Sequence, residues 1–239
     1  MENEVKNIVN KTKNLVVCTY PTRDLDRLVS FYNAAVLSGR DLVIDLKQAY
    51  ILKLFQSSNH RNTYPKPTDS RIKIYIPRKR WGLIDKDLGT WTKKLLLEDY
   101  DNWADEFIDY NNAVNYKDVS RNQKDLIFYC SDFQLQELID LRPIENSSYI
   151  RSSTEPFDDE MKLDQERVKR WLIHFRLIKN ESEWNHIHVS GHGSGDQIKK
   201  IIEGSKSKSL VPIHTEHEEF HRKWHPQVKQ VQLNDSIYL

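Results

Sequence analysis

The sequence predicts an α/β fold: a mainly parallel sheet flanked by helices. Two observations point there. Short β-branched runs recur along most of the chain, and helical patterns separate them. The first run is Leu15-Val16-Val17-Cys18. An amphipathic helix follows, with Leu25, Leu28, Val29, Tyr32, Ala35 and Val36 at helical spacing and Gly39 placed for a left-handed cap. The next runs are Leu42-Val43-Ile44-Asp45 and Ile72-Lys73-Ile74-Tyr75-Ile76, with a polar, proline-containing loop over residues 57–70 between them. Residues 88–122 are charged and aromatic and break the alternation, with a helix expected in their first part. Leu126-Ile127-Phe128-Tyr129 and Tyr149-Ile150 resume it, with helices expected over 132–140 and 165–175. Ile187-His188-Val189 and Ser209-Leu210-Val211-Pro212-Ile213 are the last strand-like runs, and a helix over 195–203 lies between them, with Ile198, Ile201 and Ile202 on one face. The segment 179–185 is the best boundary between a larger first unit, residues 1–180, and a smaller second one, residues 181–239.

Composition narrows the function classes. The 239 residues carry 36 basic and 35 acidic side chains, so no global charge draws the chain to nucleic acid or an anionic membrane. Any attraction to RNA must come from a local patch. The stretch Arg71 to Trp81 contains such a basic, aromatic run, including Arg78-Lys79-Arg80, which fits a nucleic-acid backbone or a solvated loop about equally. Arg23 and Arg27 open a helix near a strand tip, where ion pairs with Asp24 or Asp26 are the expected role. Cys18 and Cys130 have no metal-ligand or redox spacing and read as buried thiols in a reducing compartment. The polar start and the lack of a long apolar run predict a soluble, cytoplasmic protein with no membrane association.

In a parallel sheet, ligands sit beyond the carboxyl ends of the strands. Those ends carry Thr19, Asp45, Ser131, Ser152, Ser153, His192 and His214. The densest chemistry lies in HVSGHGSGDQIKKII and LVPIHTEHEEFH. In the first, glycines and a following helix N-terminus favour an anion, and His192 projects where an imidazole can meet a phosphate. In the second, His214 sits at a strand tip, in position to bind a metal. His217-Glu218-Glu219-Phe220-His221 also spells HExxH, the pattern of zinc proteases. It follows Pro212 too closely to lie inside a substantial helix, so a short solvated helix is expected instead.

SGH followed by PIHTE resembles motifs B and C of the β-CASP branch of metallo-β-lactamase-fold nucleases, the ribonuclease J-like enzymes. TRDLDRLVSFYNAAVLSGRDLVIDLKQAY resembles the opening of the β-CASP insertion, and LIFYCSDFQLQELIDL and SSYIRSSTEPFDDE its later part. The resemblance implies a β-CASP domain over 1–180. It also implies that 181–239 is the carboxyl-terminal portion of a metallo-β-lactamase fold with the RNA specificity segment. It implies that His214 ligates one zinc of a two-metal site, that His192 is a catalytic general acid near the scissile phosphate, and that His188, Ser190, Ser152 and Ser153 lie beside RNA phosphates.

The family's zinc cluster begins with HxHxDH, and no such motif occurs in this sequence. One histidine cannot hold catalytic zinc, which takes three or more protein ligands. The expectation is therefore the RNA-specificity half of a zinc-dependent ribonuclease, inactive alone. RNA is its expected partner, together with either a chain bearing the metallo-β-lactamase half or further copies of itself. A binding module that keeps the RNA surface without the chemistry is the alternative.

Overall fold

This computed structural model describes residues 2–58, 63–78, 100–180, 184–187, 193–213, 215, 217–231 and 236. Two compact units divide the chain, residues 1–189 and 190–239. The first is built on a seven-stranded, all-parallel sheet flanked by helices. Its strands are β1 (Val16–Thr19), β2 (Asp41–Ile44), β3 (Ile72–Tyr75), β4 (Ala113–Val114), β5 (Leu126–Tyr129), β6 (Ser148–Arg151) and β7 (Asn185–His186). They lie in the order β4-β3-β2-β5-β1-β6-β7. The apolar runs read from the sequence become β1, β2, β3, β5 and β6, in agreement to within a residue or so at their ends. Such runs suit strands covered on both sides, and Val16 to Thr19 are buried throughout.

Alternation of side chains divides this core in two. On one face Val16, Cys18, Leu42, Ile44, Ile72, Ile74 and Ile127 pack with the helices α1 (Glu2–Lys11), α2 (Leu25–Ser38) and α3 (Leu46–Gln56). On the other, Val17, Val43, Phe128 and Tyr149 meet the helices α5 (Tyr116–Arg121), α6 (Glu137–Leu141) and α7 (Asp159–His174). The short helix α4 (Asp105–Ile108) places the buried Phe107 in the first cluster.

Two local features differ from the sequence reading. Helix α1 was not expected, yet Val5 and Val9 are fully buried one turn apart, with Ile8 partly buried beside them. The buried face of α2 is Leu25, Leu28, Phe31, Ala34 and Ala35, rotated away from Val36, which is 44% exposed. Phe31 turns inward because Tyr20 stacks on it, with ring centroids 5.0 Å apart. Gly39 does end α2 in the left-handed region, at φ 73°, with its N–H returned to Ala35 and Val36 carbonyls. The first part of residues 88–122, where a helix was expected, lies outside the described residues up to position 99. Beyond it come α4, β4 and α5.

The second unit contains α8 (Gly195–Ser205) and α9 (Glu218–Trp224). Helix α8 starts on a capping box, Ser194 with Gln197, and buries Ile202 while Ile201 stays 70% exposed. Residues 209–213 do not form a strand. Leu210 makes one isolated parallel bridge to Val228, and Pro212, two residues on, has no N–H to extend it. Ile213 is 69% exposed. Of the strand-like run expected over 187–189, Ile187 continues the ladder by donating its N–H to the Arg151 carbonyl at 2.8 Å, and residues 188–189 lie outside the described residues.

Candidate functional site at the carboxyl edge of the sheet

Strand order places a crevice in the first unit. The helices that follow β1 and β2 cover one face of the sheet, and those that follow β5 and β6 cover the other. Since β5 lies between β2 and β1, the connections part on either side of its carboxyl end, which is where parallel sheets open a binding crevice. Two cavities occur there. One, of about 300 Å³, lies beyond β2, β3 and β5 and is lined by Asp45, Tyr75, Trp103, Ser131, Phe133 and Glu137 among others. The second, of about 380 Å³, lies beyond β1, β5 and β6, with Thr19, Tyr20, Asp132, Arg151, Ser153 and Arg167 in its wall. Thr19, Asp45, Ser131 and Ser153, read from the sequence as strand-end polar groups, thus line the crevice.

The first cavity is aromatic and holds two carboxyl groups. Asp45 caps α3, accepting from the Gln48 N–H at 2.7 Å, yet burial raises its pKa above the usual carboxylate value. Glu137 is also raised, chiefly by burial, and accepts a hydrogen bond from the Tyr75 hydroxyl at 2.6 Å. On the floor, the Tyr129 hydroxyl donates to the Tyr20 carbonyl at 3.1 Å, which leaves the Thr22 hydroxyl to donate to Tyr129 at 2.8 Å. Cys130 and Cys18 are free, buried thiols whose pKa values burial pushes up, so neither is a ready thiolate.

Two arginines fix the end of β6, and one of them, Arg151, lies in the wall of the second cavity. Arg151, only 8% exposed, donates from Nη1 to Asp132 at 2.6 Å and lies over the Trp184 ring at 5.4 Å. Its Nε is buried with no hydrogen-bond partner among the described residues, as is Ser153 Oγ. The Ser153 carbonyl takes His186 Nε2 at 2.6 Å, while His186 Nδ1 lies 2.7 Å from Glu155. Ser152 is fully buried, and Arg27 reaches it across the fold: Nη1 donates to its carbonyl at 2.9 Å and to its hydroxyl at 2.8 Å. Arg27 Nε donates to Asp24 at 2.7 Å, the ion pair expected at the start of α2. This tie between α2 and the end of β6 had no signal in the sequence.

The other expected site residues, His188, Ser190, His192 and His214, lie outside the described residues. The HExxH segment is not built like a zinc-protease helix. His217 is the residue before α9, with φ −127° and ψ 62°, so the two histidines do not share a continuous helix. Among the described residues no group of three or more His, Cys, Asp or Glu side chains comes together to hold a metal ion. These residues alone therefore do not supply the ligand set that zinc takes.

No described helix is long and apolar enough to cross a membrane. A search of curated proteins finds no match to the chain. Residues 181–223, which run from just before β7 into α9, match the family model described as the Zn-dependent metallo-hydrolase RNA specificity domain.

Proposed function

We propose that this chain is the β-CASP and RNA-specificity half of a zinc-dependent ribonuclease of the ribonuclease J type. It would hydrolyse RNA phosphodiesters when joined to a half carrying HxHxDH, and be inactive without it. The observation that carries this reading is the RNA-specificity match at 181–223, in a chain whose first unit holds an all-parallel α/β sheet. In this reading His214 is a zinc ligand and His192 gives a proton to the departing oxygen of the cleaved phosphodiester. His188 and Ser190 lie beside the phosphates. Of the two serines after β6, Ser153 takes the phosphate side, since its hydroxyl has no partner among the described residues, and Ser152 anchors the turn through Arg27. The partners are RNA and the metallo-β-lactamase half, and the setting is the cytoplasm.

The test is cleavage of labelled RNA by the chain mixed or co-expressed with an HxHxDH-bearing half. Cleavage by the combination, abolished by His192→Ala and absent from either half alone, supports the reading. Cleavage-free RNA binding by every combination would instead favour a binding module that has lost the chemistry.

A further inference from the structure

The chain as a whole is close to electrically neutral, yet one concave patch on the first unit is not. It lies where Arg78, just past β3, meets α5 and the end of α6, and encloses about 420 Å³. Among the described residues, Arg78, Lys117, Arg121 and Arg142 line it against a single carboxylate, Asp140, with Tyr116 between them. Arg78 is fixed in place: Nε and Nη2 both donate to Asp140, at 3.0 and 2.6 Å, and its guanidinium lies 4.9 Å from the centre of the Tyr116 ring. Lys117 approaches the same ring at 5.9 Å. Arg121 closes α5 and Arg142 caps α6, and both are exposed with no carboxylate partner among the described residues. Asp140 thus holds Arg78, while Arg121 and Arg142 present their charge to solvent.

We propose that this patch holds the backbone phosphates of single-stranded RNA, a contact that rests on the function proposed above. Guanidinium groups match phosphate oxygens in pairs, and Arg121 and Arg142 stand on different helices at one concavity, so they can grip one strand from two sides. The Tyr116 ring is already engaged by its own cations, so the patch reads backbone charge and not base identity. It gives a nearly neutral chain the local attraction that RNA binding needs.

The test uses the full chain, an unstructured single-stranded RNA oligonucleotide and a second of unrelated sequence, with affinity followed by fluorescence anisotropy across a salt series. The variant Arg121→Gln/Arg142→Gln leaves two phosphates without their cations. The expected result is a slope of log affinity against log salt that is shallower by about 1.4, at about 0.7 for each phosphate no longer neutralised, and the same for both sequences. An unchanged thermal melt shows that the fold is retained, and Ser120→Asp, which puts a charge in the same concavity, should weaken binding too. An unchanged slope with binding intact overturns the patch as an RNA contact and points to an acidic partner there. It leaves the proposed nuclease function standing, which is tested separately by cleavage. No RNA binding by the unaltered chain also overturns the patch, and cleavage with the completing half then decides the nuclease function by itself.

Discussion

Replacing Arg27 with alanine should be among the most damaging single changes in the first unit. The side chain is 10% exposed and donates to Asp24 at 2.7 Å and to the Ser152 carbonyl and hydroxyl at 2.9 and 2.8 Å. Hydrogen bonds from a charged donor contribute about 1.5–3 kcal/mol each, and breaking a buried pair costs about 3–5 kcal/mol. Asp24 retains 32% side-chain exposure, so water recovers part of its loss. The expected net cost is about 2–4 kcal/mol, a fall in melting temperature of roughly 4–16 °C for a unit of this size. The Ser152 groups are the reason the cost is large, since they are buried where water does not readily replace the guanidinium. Urea denaturation followed by circular dichroism measures it. Ser152→Ala should cost about 1 kcal/mol, and the double variant should cost less than the two changes summed, because they share a bond. An Arg27→Ala variant within about 0.5 kcal/mol of the unaltered chain would refute the view that this tie holds α2 to the end of β6.

Two further outcomes follow from the crevice and its surroundings. Burial raises the Glu137 pKa, so the folded chain favours the neutral acid; that contribution is complete below the unfolded value near pH 4.3 and is lost as pH rises through the folded value. Glu137→Gln keeps an acceptor for the Tyr75 hydroxyl, so its stability relative to the unaltered chain should grow with pH across this window, and a relative stability that falls with pH instead would contradict the assignment. Gly39→Ala meets no atom within 4 Å but would hold alanine at φ +73°, so thermal melts should show a loss of about 1 kcal/mol from backbone strain alone.

How far the sequence reveals this arrangement depends on the range of the interactions. Strands β1, β2 and β5 are legible because each carries a continuous apolar run, which marks a strand covered on both faces, and β3 because its isoleucines alternate around Lys73. Strands β4 and β7 are two residues long and half-buried, too short for any period to show. Helix α1 does carry a signal, Val5, Ile8 and Val9, masked by the charged residues around it. The rotation of α2 toward Phe31 is hidden because it is set by Tyr20, outside the helix. The crevice follows from the parallel-sheet rule, which also picks out Thr19, Asp45, Ser131 and Ser153 at the strand ends. The bonds that fix the crevice and the surface around it are not visible in the sequence, because Tyr75 reaches Glu137, Arg78 reaches Asp140, and Arg27 reaches Ser152 over separations that no local pattern encodes.

In the proposed function this chain contributes one ligand, His214, to a zinc site completed by another half. The most direct test is elemental analysis of zinc in the chain alone, in its complex with an HxHxDH-bearing half, and in the complex carrying His214→Ala. The expected result is little zinc in the chain alone, zinc in the complex, and a clear loss of zinc on substitution of His214. Stoichiometric zinc in the chain alone, or a complex whose zinc content ignores His214, would contradict it.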